Sequence, residues 1–446
     1  MQPEVSYYYG FIKHFENFLE KFIYKIFKIF DSIYDWFWEI GIIKKCCKLY
    51  QKWEHIFIIG PILRILRCAL DTRTAIFLPF FPIGIVFYKR DHHVFAAVFL
   101  FIALMYFAKI LSNTTEVAAE HFGPVVSSLL NATFGNLVEL VISGTTVAEE
   151  DASLTISSLV GSILLKNLFI TGSCFIFGGL KGKPLHQTKS ISSHLLFFIC
   201  ITLLLTMMSF AESNDQKISM KFKIQVGASF ILFNYIVYLA VNINEDFRML
   251  KIMKAKDEEE HGIIESSDEE EEGEHHHHEH HDEHHHKKRL PSKLACFGAL
   301  FLGCAGLGPC ASFFVSSLRS LTNNKPISKI FVGLILLPLA NALPEHISSI
   351  ISAYKGQLDL VLHLTVGSTN QILGLVLPII QFVSSHYPQA KLLLYFDDYV
   401  AAYLLVTAIF FSLCVINGMT HGINIYHGVI CITTFVVIIY LSFAYE

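Results

Sequence analysis

Long apolar runs, separated by charged residues or by Pro and Gly, constrain this chain more than any other feature of its sequence. A bilayer core of roughly 30 Å needs about 20 mostly apolar helical residues for each crossing. Candidate runs lie near 74–90, 93–111, 124–147, 153–178, 193–211, 223–242, 293–316, 327–353, 358–383, 398–416 and 424–443. Hydrophobic residues make up 53% of the 446 residues and charged residues only 16%, which excludes an ordinary soluble domain. The pattern predicts an all-α polytopic membrane protein with about 11 transmembrane helices.

Two segments fall outside these runs. Residues 1–70 repeat aromatic and aliphatic side chains at three- and four-residue spacing, with Lys and Glu between them. This spacing predicts an amphipathic helix on the membrane surface, or a helical extension packed on the transmembrane core. Residues 246–290 concentrate acidic residues and histidines in low-complexity sequence, which cannot bury a core and is therefore solvated. We expect the N-terminus and this acidic, His-rich segment to be cytosolic.

Two glutamates inside apolar runs have related surroundings. Glu139 lies in the stretch GNLVELVIS and Glu345 in the stretch ANALPEHISS, so each has a serine four residues later. A Gly-Ser pair follows each glutamate by twenty-two residues, beginning at Gly161 and at Gly367. The spacing predicts an internal repeat, and an odd number of spans in each half makes the two halves inverted in the membrane. Inverted repeats place the transport site near the midplane, at the interface between them.

This repeat organises the whole chain. The predicted segments are an extension at 1–70, a first transmembrane helix at 71–92, a first five-helix repeat at 93–245, the acidic and His-rich segment at 246–290, and a second five-helix repeat at 291–446. The first helix is the weakest of the eleven, because it is short and contains Pro79 and Pro82.

Charged side chains are costly inside a membrane, so the two glutamates are the first candidates for function. Hard cations such as Ca²⁺ prefer oxygen ligands, and a pair of nearby carboxylates can bind either a divalent cation or protons. The candidate cation- and proton-binding residues are Glu139, Glu345, Asn136, Asn341, His346, Ser162, Ser368 and Gln371. Glu116 and Glu120, before the third span, predict either an acidic vestibule or solvated loop carboxylates.

The stretch LNATFGNLVEL, from Leu130 to Leu140, resembles the first repeat motif of the vacuolar-type calcium/proton exchangers of the cation/calcium exchanger superfamily. The stretches GLILLP from Gly333, PEH from Pro344 and GSTNQ from Gly367 agree with it, as does the acidic segment between the halves. The resemblance covers roughly residues 75 to 443. It implies an eleven-helix exchanger that moves Ca²⁺ into an acidic store against protons, with Glu139 and Glu345 as the metal ligands and no cofactor.

Two departures from the family pattern bear on the transported ion. The family's Gly-Asn-x-x-Glu-His places its Asn one residue later than Asn341 stands here. In the first half, Gly-Ser-x-x-Ser-Asn becomes Gly-Ser-x-x-Leu-Lys, so Lys166 stands where an uncharged ligand is usual. If its ammonium reaches the two carboxylates, it changes the selectivity of the site by lowering the net charge from about −2 to −1. Alternatively, Lys166 extends toward the membrane interface.

The expected function is therefore secondary-active cation/proton antiport, with Ca²⁺/H⁺ exchange into a vacuole or another acidic organelle as the leading form. A monovalent or other-metal cation/H⁺ exchanger and a transport-inactive relative remain open. We expect no enzyme, because no nucleophile triad, P-loop or redox motif is present. The expected partners are membrane lipid and the cation, with no nucleic acid, and a homo-oligomer stays open.

Deleting Asp257–His286 tests the role of the acidic, His-rich segment. We expect exchange to persist, with a changed dependence on cytosolic pH or Zn²⁺, since histidine titrates near neutrality and the segment lies outside both repeats. The measurement is transport by the reconstituted deletion variant over a range of external pH values. A folded variant with no transport would place the segment in the ion pathway, and an unchanged pH and Zn²⁺ dependence would make it a passive linker.

Overall fold

The computed structural model describes residues 77–120, 130, 133–180, 189–210, 222–243, 293–323, 328–387, 396 and 398–444. Within these ranges the chain is almost entirely helical and forms no β-strand. The predicted extension at 1–70 and the acidic, His-rich segment at 246–290 lie outside the described residues.

The helices of the first half are separated by short breaks. They are α1 (Phe80–Lys89), α2 (His93–Glu120), α3 (Leu137–Ala148), α4 (Ala152–Leu164), α5 (Thr171–Leu180), α6 (Lys189–Phe210) and α7 (Phe222–Ile243). A π-helical segment, Leu165–Ile170, joins α4 to α5, so the pair forms one continuous apolar helix over Ala152–Gly179.

The second half is likewise built from helices separated by short breaks. Its helices are α8 (Lys293–Asn323), α9 (Lys329–Phe331), α10 (Leu337–Tyr354), α11 (Leu358–Gln371), α12 (Leu377–Ser384), α13 (Asp398–His421) and α14 (Ile425–Ala444). A π-helical segment at Val332–Leu336 joins α9 to α10, and another at Ile372–Val376 joins α11 to α12.

Eight helices in the described residues are long and apolar enough to cross a membrane, and a bent pair, Lys329–Ala340 with Glu345–Tyr354, would be a ninth. The all-helical, polytopic prediction is confirmed. The two remaining predicted spans coincide with shorter apolar helices, Phe80–Lys89 and Leu137–Ala148, so the total of eleven stays a prediction. The boundaries of the predicted segments also remain predictions.

Both glutamate-bearing segments are interrupted close to the glutamate. In the first half, a turn at Gly135 and Asn136 precedes α3, so Glu139 lies in the first turn of that helix. In the second half, the two parts of the bent pair meet at 65° just before Glu345. Pro344 stands at this bend, and proline removes a backbone hydrogen bond and kinks a helix. Glu139 therefore lies at the start of a helix, and Glu345 lies directly after a bend within α10.

Further backbone details recur at the same distance from each glutamate. Four described residues have positive φ, and two of them, Glu150 at 58° and Gly356 at 83°, each stand eleven residues after a glutamate. The π-helical segments Leu165–Ile170 and Ile372–Val376 likewise follow corresponding Gly-Ser pairs. These features are what an internal repeat requires, although φ near 60° is uncommon for a residue other than glycine.

The two halves are held together at one end of the bundle by charged and small residues. Arg319 on α8 donates to a Glu149 carboxylate oxygen at 2.6 Å, and the Lys329 ammonium lies 2.8 Å from an Asp151 carboxylate oxygen. Nearby, a Cβ built on Gly161 would lie 2.5 Å from the carbonyl oxygen of Leu334. Small residues allow helices to approach this closely in a membrane, so the contact between α4 and the second half depends on glycine.

Gly161→Ala should therefore destabilise the protein, because its methyl group would force two backbones apart. Overpacking of this kind typically costs about 1–3 kcal/mol. The matched control is Gly144→Ala, since a Cβ at Gly144 would meet only Ile380 Cδ1, at 3.9 Å. Thermal unfolding in detergent, followed by size-exclusion chromatography, should show a lower midpoint for Gly161→Ala alone. Equal midpoints for the two variants would mean that the close approach does not contribute to stability.

Candidate cation site

The ammonium of Lys166 lies between the two repeat-related glutamates. Its Nζ is 2.9 Å from Glu139 Oε1 and 3.7 Å from Glu345 Oε2. The Lys166 side chain is only 2% exposed, so the charge is enclosed by the bundle. Of the two positions considered for this lysine, the structure has the one at the carboxylates, and the alternative of extension toward the interface is wrong.

Neutral oxygens from both halves complete the surroundings of this ammonium. Lys166 Nζ donates to Asn136 Oδ1 at 3.0 Å and to Ser368 Oγ at 2.6 Å, in addition to Glu139. An ammonium has three N–H donors, and these three acceptors use all of them. Glu345 therefore interacts with Lys166 by charge, at a distance that leaves it outside the hydrogen-bonded set.

A second set of hydrogen bonds fixes these neutral ligands. Asn136 Nδ2 donates to Gln371 Oε1 at 2.5 Å, and Ser368 Oγ donates to Asn136 Oδ1 at 2.9 Å. Asn136 comes from the first half, and Ser368 and Gln371 come from α11 in the second. The amide of Asn136 thus lies at the interface between the repeats, where the sequence predicts the site.

The backbone around Lys166 explains how it reaches this position. Lys166 is the second residue of the π-helical segment Leu165–Ile170, and its carbonyl accepts a hydrogen bond from the Thr171 hydroxyl at 2.9 Å. A π-helical turn holds one more residue than an α-helical turn and is found frequently at functional sites. Lys166 thus lies at the start of a widened turn, and its side chain points into the site.

The two glutamates have different environments. The Glu139 side chain is 4% exposed and the Glu345 side chain is 41% exposed. Among the described residues, Glu139 Oε2 is buried and has no hydrogen-bond partner. A buried carboxylate oxygen without a partner is costly and indicates a position for a ligand or an ion. The site therefore has one enclosed carboxylate with a spare oxygen and one that is accessible.

Opposite charges about 4 Å apart attract by about 4 kcal/mol at an effective dielectric constant of 20. Lys166 therefore stabilises both carboxylates in an otherwise apolar bundle. The same arithmetic makes the ammonium a strong competitor for any mobile cation that approaches the same oxygens. The oxygen atoms of the site converge on the Lys166 ammonium. A bound metal cation requires the same convergence of oxygen ligands.

Several predicted residues are not brought to this centre by the structure. Ser162 is buried in α4, and no described hydrogen bond connects it to the site. The His346 ring packs edge-on against Phe169 at 5.2 Å, and its buried Nε2 has no partner among the described residues. Nothing is described of the side chains of Asn341, Glu116 and Glu120, which lie on α10 and α2. Their roles stay predictions.

Two buried histidines were missed by the sequence reasoning. His194 on α6 and His363 on α11 lie within apolar runs and contact each other at 3.0 Å. The rule that singled out the glutamates, that an ionisable residue inside an apolar run is a candidate for function, could have found them. No group of three or more His, Cys, Asp or Glu side chains in the described residues is arranged to hold a resident metal ion.

Several curated proteins are similar to this chain. The vacuolar calcium ion transporter of Schizosaccharomyces pombe is 26% identical over 377 residues, covering 82% of this chain and 84% of the relative. The Ca(2+)/H(+) antiporter ChaA of Bacillus subtilis is 25% identical, covering 66% of this chain and 77% of the relative. Vacuolar cation/proton exchanger 4 of Arabidopsis thaliana is 26% identical, with coverages of 71% and 69%.

Solved structures share the fold. The structure of native YfkE matches with a TM-score of 0.60 at 18% identity, covering 81% of this chain and 98% of that one. The crystal structure of the H⁺/Ca²⁺ exchanger CAX matches with a TM-score of 0.59 at 14% identity, covering 83% and 90%. At these identities the likeness establishes the architecture alone.

The sequence profile of one family, described as sodium/calcium exchanger protein, matches residues 92–244 and again residues 296–444. The two matched segments lie on either side of the acidic, His-rich segment, and each contains one of the two glutamates. Together they cover more than half of the chain, and the resemblance seen in the repeat motifs is confirmed. The chain belongs to the sodium/calcium exchanger protein family.

Proposed function

We propose that this protein is a secondary-active antiporter that exchanges Ca²⁺ for protons across the membrane of a vacuole or another acidic organelle. The observation that carries the proposal is the convergence of Glu139 and Glu345, with neutral oxygens from both repeats, on one cationic centre. Relatives with the printed names vacuolar calcium ion transporter and Ca(2+)/H(+) antiporter support Ca²⁺ and protons as the exchanged ions. The vacuolar names of the relatives from yeast and plant support the location.

The proposed ion ligands divide into two kinds. Glu139 and Glu345 supply the negative charge that a divalent cation needs, while Asn136, Ser368 and Gln371 supply neutral oxygens and fix the geometry. Protons bind the same two carboxylates when the cation is absent, so one site carries either ion and competition between them couples the two fluxes. Inverted repeats that rock around a fixed midplane site would then expose it to each side in turn.

The chemistry that we propose requires no covalent step and no cofactor. The family is one of exchangers, and the transported cation and protons are the only small species that the mechanism uses. Lipid is the expected surrounding of the bundle, whose outer helices expose large apolar side chains such as Leu196, Phe230 and Phe301. Association into a homo-oligomer remains open.

A second candidate is exchange of a monovalent cation for protons, and Lys166 is the observation that favours it. With one ammonium fixed beside two carboxylates, the site has room for one further positive charge rather than two. A site that Lys166 blocks completely would instead belong to a protein without transport. Ca²⁺, Na⁺ and K⁺ uptake under the same pH gradient separates these three outcomes.

Glu139→Gln and Glu345→Gln should each abolish Ca²⁺ uptake into reconstituted vesicles with an acidic interior, because each removes half of the charge that binds the divalent ion. The matched control is Glu150→Gln, since Glu150 is exposed on the turn after α3 and lies far along the helix from the site. Uptake is measured with radioactive Ca²⁺ after the pH gradient is imposed. Near-normal uptake by either site variant would make that carboxylate structural and contradict the proposal.

Lys166→Asn restores the residue that the family pattern has at this position. Removing a like charge at about 4 Å is worth a few kcal/mol, so the apparent affinity for Ca²⁺ should rise by at least about tenfold. Affinity for Na⁺ or K⁺ should rise less, because the repulsion scales with the charge of the ion. The measurement is competition of Na⁺ and K⁺ against Ca²⁺ uptake, with the exposed lysine variant Lys355→Asn as control. An unchanged preference would remove Lys166 from selectivity.

A further inference from the structure

A second polar cluster lies away from the cation site, between α6, α7 and α11. His194 Nε2 is 3.0 Å from His363 Nδ1, and His194 Nδ1 is hydrogen-bonded to the Tyr238 hydroxyl. Asn370 Nδ2 donates to the Tyr238 oxygen at 3.2 Å and to the His194 carbonyl at 2.9 Å. Four side chains from three helices therefore form one continuous hydrogen-bonded chain.

This cluster is buried inside the membrane-spanning bundle. The exposed fractions of His194, His363 and Asn370 are 1%, 7% and 0%. Phe197 stacks on Tyr238 with ring centroids 4.3 Å apart, which separates the cluster from lipid on that side. Ionisable side chains are rare at such positions and, where they occur in transporters, commonly serve proton or ion pathways.

The chemistry of the members suits proton transfer. A neutral imidazole has one donor and one acceptor nitrogen, and a phenol hydroxyl both donates and accepts. An imidazole can therefore bind a proton at one nitrogen and release a different proton from its other nitrogen. One proton moves along the chain in this step, and the ring is neutral again at its end. His194 is bonded through both of its ring nitrogens, which is the geometry that such a step needs.

The cluster extends from one end of the bundle toward the cation site. His363 lies in the second turn of α11 and His194 in the second turn of α6, while Tyr238 is near the end of α7. Asn370, seven residues after His363 on the same face of α11, lies about 10 Å farther in. Gln371, the next residue, holds Asn136 in the cation site.

The inner end of the chain keeps an open position. Asn370 Oδ1 is buried and has no hydrogen-bond partner among the described residues. An amide oxygen of this kind can accept a hydrogen bond but does not itself carry a proton, so the proton carriers of the cluster are the two imidazoles and the phenol. Other titratable groups described around the rings are Tyr235, which packs on Tyr238, and Asp359, which precedes His363 by one turn of α11.

We propose that His363, His194 and Tyr238 pass the counter-transported proton along the α6–α7–α11 interface, from this end of the bundle toward the cation site, while the Asn370 amide positions the Tyr238 hydroxyl by donating to its oxygen. The inference rests on the proposed exchange of a cation for protons. It gives the proton a path through the α6–α7–α11 interface that differs from the path of the cation, while Glu139 and Glu345 remain the groups at which the two ions compete.

Comparison of two transport modes tests the relay. Uptake of Ca²⁺ driven by a pH gradient needs proton transfer, whereas exchange of radioactive for unlabelled Ca²⁺ without a gradient needs only the cation site and its movement. His194→Gln, His363→Gln and the nearly isosteric Tyr238→Phe should lose about tenfold or more of the pH-driven uptake. Their Ca²⁺ self-exchange should stay within about twofold of wild type, which would also show that the variants fold. The control is Thr202→Val, since the buried Thr202 hydroxyl donates to the Phe198 carbonyl of its own helix and has no other hydrogen bond among the described residues.

The outcomes separate the two proposals. Parallel loss of both modes would mean that the cluster joins helices without carrying protons, and unchanged pH-driven uptake in all three variants would equally overturn the relay. A wild-type protein that performs neither mode with Ca²⁺ would overturn the proposed function, and the relay with it. A wild-type protein that performs both, with variants that lose only the pH-driven mode, supports both proposals.

Discussion

The structure at the centre of this protein depends on the need to neutralise the buried negative charge of two carboxylates. Two ionised carboxylates in an apolar bundle need a positive charge near them, and Lys166 supplies one from within the chain. The surrounding features follow from that need. Lys166 lies in a π-helical segment with its side chain directed inward, and Asn136 and Ser368 use its remaining donors. The tight contact at Gly161 brings α4 against the second half just before this turn.

The family profile matches the chain twice and two turns recur at matching positions, but the site itself is not symmetric. Residues that correspond across the halves differ where the chemistry is decided: Lys166 corresponds to Ile372, and Leu165 corresponds to Gln371. The first half therefore contributes the ammonium and the second contributes an amide oxygen. Glu139 is enclosed and Glu345 is accessible, so the two carboxylates cannot play identical parts even though their sequence surroundings match.

Much of this arrangement could be predicted from the sequence, and the limits have physical reasons. The apolar runs, the two glutamates and the Gly-Ser spacing follow from the cost of placing polar groups in lipid, which acts on composition alone. The position of the Lys166 ammonium does not follow, because a long flexible side chain can reach an interface or a midplane, and the choice depends on partners from distant parts of the chain such as Glu139, Glu345 and Ser368. Ser162 shares an α-helical face with Lys166 in the sequence, yet no described bond connects it to the site.

The histidine pair could not be predicted from the repeat, because a repeat identifies only residues that recur. Neither His194 nor His363 has a histidine at the corresponding position in the other half.

Helix α11 is the element that relates the two polar systems of the bundle. Ser368 and Gln371 lie on one side of it and contact the first repeat, while His363 and Asn370 lie on another side and contact α6 and α7. A movement of α11 that changes the cation site must therefore also change the hydrogen-bonded histidines. Two ion fluxes are coupled when the binding of either ion shifts the conformation of one shared element. Helix α11 meets that requirement, because it has ligands for a cation on one face and proton carriers on another.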